Sequence, residues 1–174
     1  MPRRVVITGY GAITPLGHSV DETWQNMVGG RSGIAPITLF NTENFQVLVA
    51  AEVKGFDPTH HIDATTARYS DRFTQFALAA SLQALESAGL KIDNDNKYDV
   101  RILIGTGVGG LGSLEKQIEI LNNRGPNKVS PYVVPMMIAD NAPGQISIKT
   151  GIMGSNMSVV SSCSTGTDAI GLAY

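Results

Sequence analysis

The stretch Met157-Ser-Val-Val-Ser-Ser162-Cys163-Ser164-Thr165-Gly166-Thr-Asp-Ala-Ile170-Gly171 changes its periodicity in the middle. Met157 to Ser162 is rich in β-branched residues and reads as a strand. Small, cap-forming residues follow at once, then apolar positions at helical spacing, so a helix is expected directly after Cys163. A cysteine at a strand-to-helix junction has the geometry of a nucleophile elbow, in which a tight turn holds the reactive side chain above a sheet edge. Ser164, Thr165 and Gly166 leave room for a substrate to reach the sulfur. Amide groups at a helix start favour a thiolate and can donate to an oxyanion. A buried structural cysteine suits the same local sequence, and at this level both readings stand.

Upstream of this junction, strand and helix patterns alternate. Arg101 to Thr106 reads as a strand, Gly107 to Gly112 as a glycine-rich turn, and Ser113 or a neighbour as the start of a helix through Ile120 and Leu121. Pro126, Pro131 and Pro135 predict a rigid extended loop. Asp140 to Lys149 predicts a short helix ended by Gly151. Further back, Ser70 or Asp71 caps a long helix carrying Phe73, Phe76, Ala77, Ala80, Ala84 and Ala88, which Gly89 stops. Its small residues predict close packing in the interior. Phe45 to Val53 contains another β-rich run, and Asp57-Pro58 breaks the chain. Ser19 or Asp21 caps a short helix through Trp24 and Met27, and Arg3 to Tyr10 reads as a first, buried strand. Alternation of this kind implies an α/β fold with a parallel or mixed sheet and helices on its faces.

Composition narrows the function. The chain has 174 residues, 43% apolar and 16% charged, which suits one ordinary globular unit. A net charge of −2 supplies no basic surplus for nucleic acid. No run of about 18 apolar residues is present, so no membrane span is expected, and the N-terminus does not read as a signal peptide. One cysteine fits a reducing, cytoplasmic setting, and with His18, His60 and His61 it does not make a metal site.

Gly105-Thr-Gly107-Val-Gly-Gly110 follows a strand and matches the dinucleotide fingerprint. An acidic residue about 20 positions on is missing, because that region reads RGPNKVSPYVV. A tight turn with close backbone approach is the favoured reading. A cysteine protease is also disfavoured, since no histidine follows Cys163.

Several segments together resemble the elongating β-ketoacyl-acyl-carrier-protein synthases of the thiolase-like superfamily. They are VVITGYGAITPLG, SDRFTQFALAASLQAL, IGTGVGGLGSLE, NKVSPYVVPMMIADNAPGQISIKTGIMG and SSCSTGTDAIG, in that order along nearly the whole chain. The resemblance implies a layered αβαβα fold built of two similar halves, residues 1–174 being the first. It implies Cys163 as the acyl-accepting nucleophile in a decarboxylative Claisen condensation with a malonyl thioester. It implies acyl carrier protein as partner, with the phosphopantetheine arm arriving on the carrier and no cofactor of the enzyme's own. It also implies a homodimer paired through the strand before Cys163. Val108 and Val133 sit where the family lines its acyl pocket, and plain packing suits them equally. Arg68, with Arg72 one helical turn on, sits where the family meets its carrier.

The family's catalytic histidines, a lysine and one oxyanion-hole amide belong to its second half. None of His18, His60 and His61 matches them. The apolar pattern Ile170, Leu172, Tyr174 runs to the last residue uncapped. The sequence is therefore expected to be part of a longer chain and, taken alone, inactive in condensation. A polyketide-type ketosynthase and a non-catalytic partner subunit of the same fold are the alternatives.

Overall fold

The computed structural model describes residues 4–174. Helix α1 (Val20–Val28) is capped by Ser19, whose side chain accepts from the Glu22 amide, and Gly29 and Gly30 end it. Strands β1 (Ala35–Pro36) and β2 (Val49–Ala50) form a small antiparallel pair, much shorter than the run expected over 45–53. The Glu52 carboxylate closes the base of this arm. It accepts from the Thr38 hydroxyl at 2.7 Å, the Thr38 amide at 2.9 Å and the Leu39 amide at 3.1 Å. The Thr38 hydrogen bonds, side chain before backbone, hold its pKa below the ordinary value of 4.5.

A carboxylate favoured in the folded state stabilises above its unfolded pKa and stops doing so as pH falls through its lowered folded one. Amide protection across residues 38–52 is therefore expected to stay flat at neutral pH. It should fall below about pH 4.5, and Glu52→Gln should remove the pH dependence. Hydrogen exchange across this range measures both.

The polar stretch before the long helix contains a helix of its own, α2 (Ala64–Arg68). Asp63 caps it by accepting from the Thr66 amide at 2.9 Å and the Thr66 hydroxyl at 2.8 Å. Helix α3 (Arg72–Ser87) follows, capped by Asp71 and stopped at Gly89, where φ is 62°. It buries Thr74, Leu78 and Ala79, none of them on the face read from the sequence. Phe73, Phe76, Ala77, Ala80, Ala84 and Ala88 are half-buried, because the chain around Gly9 and Gly11 covers that side only in part.

Strand β3 (Ile102–Gly105) leads through the glycine turn into α4 (Leu111–Arg124). The proline-rich segment is not extended. It forms a 3₁₀ turn at Pro126–Lys128 and a short helix, α5 (Val133–Met137). Pro135 fits because the amides of a first helical turn have no intrahelical acceptor to lose. Helix α6 (Asn141–Thr150) ends at Gly151 with φ 78°. Strand β4 (Asn156–Val159) then pairs parallel with β3, matching Ile102 to Asn156 and Gly105 to Val159, and helix α7 (Thr165–Ala173) closes the described chain.

Side chains alternate across the parallel pair. Ile102 joins Ile62, Leu78, Ile146 and Ile152 in the core, so that face of β3 meets α3 and α6. Leu103 and Met157 point the other way and line a cleft with Leu172 and Ala173 of α7. Helices thus cover both faces, which is the layering read from the sequence.

The expected first strand is absent as well among the described residues. Residues 4–10 belong to no strand, and Val6 and Ile7 are 62% and 88% exposed. β-Branched residues make a strand only when a neighbouring edge accepts their hydrogen bonds, and among the described residues this segment has none. Its footing is α3 instead. A β-carbon on Gly9 would lie 2.4 Å from the Ala84 carbonyl, one on Gly11 2.1 Å from that of Ala80, and the Ala12 amide donates to Gln83 at 3.1 Å. Arg3 of that expected strand lies outside the described residues.

Candidate active site

Strand β4 ends at Val159, three residues sooner than its sequence suggested. Ser161 has left the extended region for ψ 37°, and Ser162 has φ 57°, the one positive value on a non-glycine residue among the described residues. Such backbone is costly for a residue with a β-carbon and persists where surroundings enforce it. Ser162, Cys163 and Ser164 form a single 3₁₀ turn that runs straight into α7. The thiol of Cys163 is free and exposed.

Four side chains that sequence reasoning did not assign to the site hold this turn. The Ser161 amide donates to Thr165 Oγ1 at 2.9 Å, and that hydroxyl donates to the Ser162 carbonyl at 2.7 Å. Ser164 Oγ reaches the Ser161 carbonyl at 2.8 Å and Asp168 Oδ2 at 3.1 Å, and Ser161 Oγ donates to the same carboxylate oxygen. The signal was present as Ser161-x-x-Ser164-Thr165-x-x-Asp168. This is the spacing at which short polar side chains bond to nearby backbone at a helix start.

Because β3 and β4 are parallel and in register, their following loops leave the same end of the sheet. Thr106 continues the ladder by donating to the Val159 carbonyl at 3.1 Å. In open α/β sheets this carboxyl end is where ligands bind. Val108 sits in the β3 loop with its side chain 66% exposed, and Val133 opens α5, half-buried. The two are linked through backbone: a β-carbon on Gly109 would lie 2.4 Å from the Met137 carbonyl, and one on Gly110 2.2 Å from that of Met136. Gly105 presses on Thr165 in the same way, at 2.7 Å from its carbonyl oxygen.

These contacts explain Gly105 and Gly110 of the glycine fingerprint as close packing, whereas a β-carbon on Gly107 would meet nothing within 4 Å. The amides that would face a pyrophosphate are also engaged, Gly109 to Thr106 Oγ1 at 3.1 Å and Gly110 to the Met137 carbonyl at 2.9 Å.

The two arginines do not share a helix. Arg68 ends α2, exposed, with its guanidinium 5.5 Å from the Tyr69 ring centre, and Tyr69 stacks on Tyr132 at 4.2 Å. Arg72 begins α3, half-buried. It donates to the Val53 carbonyl and lies 4.7 Å from the Phe76 ring centre. His18 bonds the Lys54 carbonyl at 3.0 Å and meets Phe56 edge-on, His61 stacks on Phe56, and His60 lies 4.0 Å from Asp57. All three are therefore engaged away from the Cys163 turn. Among the described residues no group of three or more His, Cys, Asp or Glu could hold a metal ion, and no helix is long and apolar enough to cross a membrane.

A family model described as β-ketoacyl synthase, N-terminal domain, matches residues 2–174. The chain belongs to the β-ketoacyl synthase family. It is 45% identical over 172 residues to 3-oxoacyl-[acyl-carrier-protein] synthase 2 of Synechocystis sp. (strain ATCC 27184 / PCC 6803 / Kazusa), covering 99% of this chain and 41% of that protein. It is 46% identical over 173 residues to the protein of the same name from Staphylococcus aureus (strain N315), covering 99% and 42%. This ketosynthase chain thus spans about two fifths of the length of the curated relatives it matches. A solved type II polyketide acyl carrier protein in complex with its ketosynthase, bound to the hexaketide, matches with a TM-score of 0.79 at 26% identity. That match covers 97% of this chain and 44% of the other. The fold is the thiolase-like α/β fold of ketosynthases.

Proposed function

We propose that this chain is the nucleophile-bearing first half of a 3-oxoacyl-[acyl-carrier-protein] synthase serving fatty-acid elongation in the cytoplasm. The observation that carries the reading is an exposed thiol held on a braced turn at the carboxyl end of a parallel strand pair. The Cys163 sulfur attacks the carbonyl of an acyl thioester on acyl carrier protein. The carrier's thioester bond breaks, its thiol leaves with the proton, and the acyl group stays on Cys163. A malonyl thioester on a second carrier then loses CO2, and the resulting enolate attacks the Cys163 thioester, forming the carbon–carbon bond and releasing the cysteine. The phosphopantetheine arm enters as part of the substrate, and the enzyme contributes no cofactor.

Val108 and Val133 line the acyl path in this reading, and both are small enough to leave it wide. Arg68 meets the acidic carrier. Its exposure supports that, whereas Arg72 serves by bracing the start of α3 against the Val53 carbonyl. The outer edge of β4 carries no charged side chain and pairs with nothing among the described residues, which supports a symmetric dimer through it.

The test is direct. Full-length protein is mixed with acylated carrier protein, digested and weighed. The acyl mass is expected on the peptide holding Cys163. A peptide that stays unmodified while iodoacetamide alkylates the same cysteine readily would overturn the proposal.

A further inference from the structure

Asp168 is one of the anchors of the turn that presents Cys163, beside Thr165 and Ser164. Asp168, in the first turn of α7, accepts through a single carboxylate oxygen from Ser161 Oγ and from Ser164 Oγ. Those two serines bracket the cysteine. Between them lies Ser162 with φ 57°, a conformation the chain does not adopt unless its neighbours impose it. Thr165, 5% exposed, ties the Ser161 amide and the Ser162 carbonyl to the start of the helix and is fixed by its packing on Gly105. Thr165 thus anchors the backbone before the cysteine. Ser164 Oγ also reaches the Ser161 carbonyl at 2.8 Å, and the Asp168 carboxylate is the acceptor that gathers the hydroxyls of both serines.

We infer that Asp168 is a positioning residue: it holds the Ser161–Ser164 turn closed so that the Cys163 sulfur stays aimed at an incoming acyl carbonyl. The inference rests on the reading of Cys163 as the acyl acceptor, and it assigns Asp168 no contact with substrate. Its chemistry is that of a hydrogen-bond acceptor shared by two hydroxyl donors. An amide oxygen can take its place and a methyl group cannot. Reactions that need an aligned approach are sensitive to small displacements, whereas alkylation by a small reagent needs only an accessible thiol.

The experiment follows acyl-enzyme formation on Cys163 in the full-length protein against rising concentrations of acylated carrier protein, in four forms. Asp168→Ala is expected to lower the maximal rate about 10- to 100-fold with little change in the half-saturating carrier concentration. Its iodoacetamide alkylation rate should stay within about threefold of the parent, because exposure is retained. Asp168→Asn should recover the maximal rate to within about threefold, since its amide oxygen still accepts. The Ser161→Ala/Ser164→Ala pair removes both bonds to Asp168 together with the Ser164 Oγ–Ser161 carbonyl bond and should lose at least as much, which keeps the test open if Asp168→Ala does not fold.

An unchanged maximal rate in the serine pair would overturn the inference. So would an Asp168→Asn protein as impaired as Asp168→Ala, or a loss that lies wholly in half-saturation. Failure of the parent protein to form any acyl-enzyme would instead overturn the proposed function, and the two failures are told apart in the parent lane.

Discussion

Cys163→Ala is expected to abolish acyl transfer, by more than about 10⁴-fold, while leaving folding stability within about 0.5 kcal/mol of the parent. The two halves of this expectation come from the same geometry. Covalent transfer needs a nucleophile that can form and release a thioester, and no neighbouring group substitutes for one. Ser161, Ser162 and Ser164 are the nearest hydroxyls in sequence. Two of them are spent on Asp168, and Ser162 sits on backbone already distorted. The exposed sulfur, by contrast, fills no cavity and accepts no hydrogen bond among the described residues, so its removal leaves no void and no orphaned donor. Intact-mass analysis after mixing with acylated carrier measures the first half, and urea denaturation the second. A variant destabilised by more than about 2 kcal/mol would mean that the cysteine is a packing residue after all.

Gly105→Ala carries the second large effect. A β-carbon there would meet Thr165 Cγ2 at 2.5 Å and the Thr165 carbonyl at 2.7 Å. The carbonyl is helix backbone and cannot rotate away, so α7 must shift, and Thr165 drags the Ser161–Ser162 segment with it. Overpacking of this kind costs about 1–3 kcal/mol, and displacement of the thiol should remove about 100-fold of the acyl-transfer rate. Gly107→Ala is the internal control, because a β-carbon there meets nothing within 4 Å. A nucleotide fingerprint predicts the opposite ranking, since its middle glycine is the one that lets the pyrophosphate approach. Thermal unfolding and acyl-enzyme rates of the two variants decide between the readings.

What the sequence made legible was local and periodic. Helix α3 announced both ends, with Asp71 at its start and Gly89 after its end, whereas its alanine face takes the close approach of Gly9 and Gly11 and the buried side is that of Thr74, Leu78 and Ala79. Strand β3 and helix α6 were read within one or two residues for the same reason. The elbow at Cys163 was visible because a β-branched run met small polar residues at the nucleophile itself. The failures have physical causes. Val5 to Tyr10 has strand composition, but composition carries no information on whether an edge is available to pair with. Pro135 reads as a breaker, although at the third residue of α5 its missing amide would have had no partner. Helix α2 is five residues long, too short for periodicity, and only the Asp63–Thr66 cap betrays it. Asp168 was overlooked although its spacing from Ser161 and Ser164 is visible, because the sharp turn that brings these short side chains together is set by the backbone of Ser161 and Ser162.

The loop after β3 separates two things that selection usually finds entangled. Its backbone is fixed by contacts that involve no side chain of Val108: the Gly109 amide on Thr106, the Gly110 amide on Met137, and both glycines against the carbonyls of α5. Val108 itself projects outward from that frame, 66% exposed. Substitutions there change the shape of the loop's outer surface without altering the forces that hold the loop in place, so descendants of this sequence can explore side-chain size at one position at almost no risk to folding. Drift of that sort is closed to Gly109 and Gly110, where one methyl group would meet a carbonyl oxygen. The loop is in effect a rigid bezel with one interchangeable stone.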